Sequence, residues 1–117
     1  NMQRDFTYID DVVESVIRVM EHPATPDPDW TSAAPDPATS NAPYRIHNIG
    51  DSSPVQLSRL IDVLEDALGR KAIRNLMPLQ QGDVLATYAD VTSLEEVTGF
   101  KPRIPIEVGV PRFVEWY

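Results

Sequence analysis

The chain has 117 residues, enough for one domain with a modest core, and a net charge of −8 with no lysine- or arginine-rich run, which argues against nucleic-acid binding through a basic face. It has no cysteine, so a disulfide framework and thiolate metal sites are excluded. No apolar run approaches the ~20 residues that span a bilayer and the first residues are polar and acidic, so the expectation is a cytoplasmic protein with no signal peptide, no membrane partner and no nucleic-acid partner.

In chain order, Arg4 to Ile9 reads as a short extended run, with Phe6 and Tyr8 facing inward and Arg4 at its near end. Asp11 and Glu14 have capping-box spacing, which predicts a helix from Asp11 to about Glu21 with Val12, Val16 and Val19 along one stripe and Val13, Ile17 and Met20 beside it. Pro23 ends that helix. Residues 22–43 hold most of the prolines and lose all periodicity, so they form a loop insertion, either mobile or closing over something, with Trp30 as its one bulky residue. Tyr44 to Gly50 alternates and predicts a strand. Ser53, Pro54 and Gln56 then predict a capped helix whose apolar stripe is Leu57, Leu60, Ile61, Leu64 and Leu68, with Asp62, Glu65 and Asp66 on a solvated face and Gly69 as the stop. A second strand is predicted from Lys71 to about Leu76, a polar turn over Gln80 to Asp83, and extended chain from Val84 to Tyr88. Thr92 and Glu95 open a short helix that ends before Gly99, with Asp90 able to share the capping. The last helical pattern, Ile106 to Tyr117, contains Pro111, which implies either a kinked helix from Pro105 or a break near Gly109 with a fresh turn.

Chemistry is concentrated in few places. His22 and His47 lack metal spacing, so no metal site is predicted, and no nucleophile–base pair can be assembled. The five glycines cannot form G-x-G-x-x-G, so no dinucleotide loop is present. Gly50 before a helix start loosely resembles a phosphate-binding turn, although a simple βα turn explains it as well. Gln80-Gln81-Gly82-Asp83 places two amides and a carboxylate on one turn, a set that suits phosphate or sugar oxygens and paired hydroxyls, and that a solvated turn would also show. Arg4 reads either as a surface arginine paired with Asp5 or Asp10, or as a ligand-facing cation.

Four stretches resemble the extended short-chain dehydrogenase/reductase family, the NAD-dependent sugar-nucleotide epimerases and dehydratases. They are Arg4-Asp5-Phe6-Thr7-Tyr8-Ile9-Asp10-Asp11, Tyr44 to Gly50, Gln80 to Asp90, and Gly99-Phe100-Lys101-Pro102 followed by Gly109 and Phe113 to Tyr117. Their order is that of the family and they span essentially the whole chain. Within the family the wording, including Pro28-Asp29-Trp30 in the long insertion, is most similar to the UDP-glucuronate 4-epimerases. The resemblance implies a mixed α/β fold of about four helices with a short sheet, forming the C-terminal substrate-binding portion (1–117) of a longer enzyme. The N-terminal Rossmann half, with the glycine fingerprint, the catalytic Tyr-x-x-x-Lys and the NAD site, is not in this sequence. No catalytic residue and no bound NAD are therefore expected in the chain itself. The resemblance further implies that Arg4 reaches the pyrophosphate of a UDP-sugar, that Asp83 lies at the ribose, and that Gln80 stands where many relatives carry a phosphate-binding arginine. Its implied partners are the UDP-sugar, the missing Rossmann half of the same chain, against which part of the apolar surface docks, and a second subunit of a homodimeric parent. A nucleotide-sugar dehydratase or decarboxylase and a stand-alone, non-catalytic binding module are the alternatives.

Overall fold

The computed structural model describes residues 2–117. Its regular elements are β1 (Gln3–Arg4), α1 (Ile9–Met20), β2 (Val55–Gln56), α2 (Leu57–Leu68), α3 (Thr92–Thr98) and α4 (Ile106–Trp116). The mixed α/β composition with four helices and a short sheet is as the sequence implied. β1 and β2 pair antiparallel, Gln3 opposite Gln56 and Arg4 opposite Val55. On its other side Gln3 bridges in parallel to Ala86, its N–H donating to Leu85 O and its carbonyl accepting from Thr87. α2 packs on α4 and α1 packs on α3.

α1 starts at Ile9, ahead of the expected Asp11 cap, and Tyr8 precedes it with no side-chain cap. Asp11 is needed elsewhere: its Oδ2 accepts the N–H groups of Arg103 (2.9 Å) and Ile104 (2.8 Å), and the residue is buried. Ser15, fully buried one turn on, donates its Oγ proton to the Asp11 carbonyl. The face that α1 buries is thus partly polar. Ile9, Val13, Val16, Ile17 and Met20 are exposed, while Val12 and Val19 of the expected stripe are half-buried.

α2 begins at Leu57, not at Ser53, because Val55 and Gln56 are drawn into the pairing with β1 and Leu57 N–H donates to Met2 O. Sheet pairing here overrides a good local capping signal. Val63 is the buried apolar residue of α2, while Leu57 and Leu68 at the ends of the expected stripe are exposed. Gly69 closes the helix at φ +63°, the left-handed geometry glycine adopts without strain.

The expected strand at 44–50 is not formed. Arg45 makes only an isolated bridge to Thr39, and Ile46 N–H donates to Ala38 O. Extended residues become a strand only beside a chain offering matching donors and acceptors, and the neighbour here is the turn-rich 22–43 loop. That loop is folded on itself: Asp27 N–H donates to Ser40 O, and Trp30 Nε1 donates to Asp36 O. α3 and its stop at Gly99 match expectation, and Asp90 Oδ1 accepts Thr92 N–H at its start. α4 runs unbroken through Pro111, so the break near Gly109 does not occur. Gly109 serves packing: a Cβ there would lie 2.7 Å from the Tyr8 ring.

The buried apolar set is small, namely Val63, Val91, Leu94 and Ile106 together with Pro102, and of these only Leu94 and Pro102 are fully buried. The radius of gyration is 18.0 Å, against about 13 Å for a compact domain of this length. Large apolar side chains stay on the surface accordingly.

Lys71 to Leu76 is also not a strand. It is held as a loop by Glu65, which the sequence placed on a solvated face but which is 5% exposed. Glu65 accepts from Lys71 Nζ (2.8 Å), Ala72 N–H (3.0 Å) and Arg74 Nε (3.3 Å), while Arg74 also reaches Asp62 at 2.7 Å. Hydrogen bonds from Lys71, then Arg74 and Ala72, hold the Glu65 carboxyl down at about 2, against an ordinary 4.5. Because the unfolded chain takes up this proton first, the contribution of Glu65 is whole above about pH 4.5 and fades as pH falls toward 2. Glu65→Gln is expected to flatten the fall of thermal stability across that window; an acid limb identical to wild type would rule the contribution out.

Candidate functional site

The three residues singled out in the sequence sit on β1 and on a turn packed beside it. Arg4 Nη2 donates to Asp83 Oδ1 at 2.6 Å, across 79 positions of sequence, and Arg4 Nη1 donates to Gln3 O at 2.8 Å. The arginine is therefore not paired with Asp5 or Asp10. Asp10 instead lies 3.6 Å from Arg112. Asp83 Oδ1 also accepts Val84 N–H at 3.0 Å, which fixes the carboxylate on its own backbone. The turn that presents it is closed by Asp83 N–H donating to Gln80 O at 3.2 Å, and Gly82 at φ +89° makes the tight bend. Gln80 thus meets Asp83 through its backbone and leaves its side chain on the exposed surface. Both partners of the ion pair are open to solvent, with side-chain exposures of 22% and 41%. A guanidinium so placed can exchange one anionic partner for another with little cost in burial.

One neighbour of this pair was missed in the sequence. Asp5 accepts from Asp51 N–H (3.1 Å), Ser52 N–H (3.1 Å), Ser53 N–H (3.4 Å) and Ala89 N–H (2.9 Å). The donors after Gly50, which loosely resembled an anion-binding turn, are thus already occupied by a carboxylate of the protein, and no helix starts at Ser53. Burial first, and then the charges of Asp5 and Asp11, push the Asp51 carboxyl up from its ordinary value. The available signal was Gly50-Asp51-Ser52-Ser53, a run of short residues with free N–H groups; nothing local shows that its acceptor lies near the chain start. A polar cleft of about 230 Å³ opens beside this cluster, lined by Asp5, Asn48, Thr87 and Tyr88.

His47 meets Ser93 Oγ at 3.0 Å, and burial together with Arg45 holds its pKa below the usual value. No acidic group completes a relay to it among the hydrogen bonds of the described residues. Among those residues no group of histidines and carboxylates could hold a metal ion, and no helix is long and apolar enough to cross a membrane.

The fold that carries this pair, four helices with a two-stranded sheet, is one that known structures contain. UDP-glucose 4-epimerase from Bifidobacterium longum, solved in complex with NAD+ and UDP, superposes on 99% of this chain with a TM-score of 0.75 and 21% identity, over 30% of its own chain. The fold of this chain is that of the matching part of that structure. In sequence, the chain is 49% identical over its whole length to protein CapI of Staphylococcus aureus and 48% identical over 99% of it to a probable UDP-glucuronate 4-epimerase of Rhizobium meliloti. No family model matches the chain. The chain is homologous to CapI and to UDP-glucuronate 4-epimerases over what corresponds to the C-terminal part of those proteins. It spans about a third of the length of these curated relatives, 35% of the first and 34% of the second.

Proposed function

We propose that the chain is the substrate-binding domain, residues 1–117, of an NAD-dependent epimerase that inverts C4 of UDP-glucuronate. The observation that carries this reading is the Arg4–Asp83 pair: a cation and a carboxylate from opposite ends of the chain, side by side and open to solvent. In the reading, the pyrophosphate takes the place of Asp83 on Arg4. The freed carboxylate accepts from the ribose hydroxyls, and the Gln80 amide donates to a phosphate or sugar oxygen. The names of the similar proteins supply the sugar and the carbon.

The glycines here do not fit a dinucleotide. NAD and the groups that move protons and hydride belong to a Rossmann half outside this sequence, so the chain alone is read as inactive. The outward-facing Ile9, Val13, Val16, Ile17 and Met20 of α1 support that division, since an apolar stripe of this kind is ordinarily covered. The 22–43 loop is an insertion within the domain. A homodimeric, cytoplasmic parent is part of this reading.

The test is to incubate a polypeptide of the relatives' length, carrying this sequence as its C-terminal part, with UDP-glucuronate and NAD, and to follow the sugar by NMR. Interconversion with the 4-epimer is the expected result. Loss of carbon dioxide or water from the sugar would transfer the chain to the decarboxylases or dehydratases. Binding of UDP-glucuronate without turnover would support a non-catalytic binding module.

A further inference from the structure

Arg4 lies on a strand only two residues long, and a pairing that short is marginal by itself. A slip of one residue would turn Arg4 to the opposite face of the sheet and away from Asp83. Something must fix the register, and the structure offers one group placed to do so. Asp5, the next residue, sends its carboxylate to the backbone of both flanking segments at once. Its Oδ1 accepts from Asp51 and Ser53, on the approach to β2, and its Oδ2 accepts from Ser52 and from Ala89, which follows the Asp83 turn. Its own N–H donates to Thr87 Oγ1 at 3.0 Å. Ser52 Oγ closes the far side by donating to Ala89 O at 2.8 Å, with Ser52 in the left-handed region at φ 55°.

Space at this junction is as tight as its hydrogen bonding. A Cβ on Gly50 would lie 2.3 Å from Ala89 Cβ and 2.8 Å from Asp5 Oδ2. Gly50 is therefore required by close approach, since its φ is not among the positive values of the described glycines. Where the three segments meet, there is no room for a side chain at position 50. Among the described residues, Asp5 is the one side chain that accepts hydrogen bonds from both outer segments.

We propose that Asp5 is the positioning residue of the nucleotide site. Its carboxylate locks β1 between the 51–56 segment and the 83–89 segment, and so sets the distance from Arg4 to Asp83 at which a diphosphate can be received. Asp5 touches no ligand in this arrangement; it acts through Arg4. The inference rests on the proposed role of Arg4, and the experiment separates the two. UDP affinity is measured by titration calorimetry on the full polypeptide for wild type, Arg4→Ala, Asp5→Asn and the double variant.

Asparagine keeps one acceptor oxygen but turns an amide toward two of the four donors, so the register loosens while the side-chain volume is kept. Asp5→Asn is expected to weaken UDP binding about 10-fold, a moderate loss for a displaced binding group. The double variant is expected to bind no worse than Arg4→Ala, because an arginine that is absent cannot be misplaced. Additive losses would overturn the inference and leave Asp5 with a general structural role. Unchanged affinity in Arg4→Ala would remove the functional reading itself, which is a different outcome. Should Asp5→Asn not fold, Thr87→Val removes only the acceptor for Asp5 N–H, and the same cycle with Arg4→Ala decides: a non-additive loss supports the lock, and an additive loss or none overturns it.

Discussion

Replacing Asp11 by alanine is expected to destabilise the chain by about 2–6 kcal/mol, since each buried donor left without a partner costs roughly 1–3 kcal/mol. Two such donors depend on this carboxylate, the N–H groups of Arg103 and Ile104 at 2.9 and 2.8 Å. Asp11 is 6% exposed, so water does not readily replace it. The residues it holds lead directly into α4 through Pro105 and Ile106, the latter among the buried apolar residues, so the change also loosens the docking of α4. For a domain of this size the loss corresponds to roughly 8–24 °C in the midpoint of thermal unfolding. Asp11→Asn keeps an oxygen that can accept both bonds and should cost only about 1 kcal/mol. Thermal melts of the three proteins measure this. If alanine and asparagine were equally mild, the carboxylate would not be what holds the 102–106 segment.

The two aspartates, Asp5 and Asp11, show where sequence reading stops. Four helices were legible because periodicity and glycine stops are local: α3 ends before Gly99, α2 ends at Gly69, and α4 follows its apolar spacing through Pro111. The starts of α1 and α2 were not, because the capping signals at Asp11 and Ser53 compete with contacts from far along the chain. Asp11 is drawn to residues 92 and 93 positions away, and the Ser53 region is drawn into pairing with β1. The strand patterns at 44–50 and 71–76 were readable as patterns and misleading as structure. A strand is a property of two chains, and in this chain those segments meet a turn-rich loop and an acidic helix face instead. Glu65 made the same point in reverse, since spacing alone put it in solvent and three donors from Lys71, Ala72 and Arg74 enclose it. At the candidate site, the residue types and the family motifs singled out Arg4, Gln80 and Asp83. The contact between Arg4 and Asp83 across 79 positions, and the Asp5 junction that sets it, needed the fold.

That contact gives the second large effect. On the proposed reading, Arg4→Ala in the full polypeptide is expected to weaken UDP and UDP-glucuronate binding about 10- to 100-fold, the range of one charge-assisted hydrogen-bonded contact. The loss should fall on KM more than on kcat, because the pyrophosphate is remote from the sugar carbon and is held alike in ground and transition states. Stability should change little, since the Arg4–Asp83 pair is open to solvent and exposed pairs contribute little to folding. Arg4→Lys keeps the charge and loses the planar fork, so it should recover only part of the affinity. The wild-type interaction should also weaken as ionic strength rises, and that dependence should shrink in Arg4→Ala. Calorimetric titration at two salt concentrations reads the affinities and their salt dependence together. An Arg4→Ala protein that binds UDP with wild-type affinity at both would remove the pyrophosphate from Arg4 and leave the guanidinium with Asp83 as its only partner in either state.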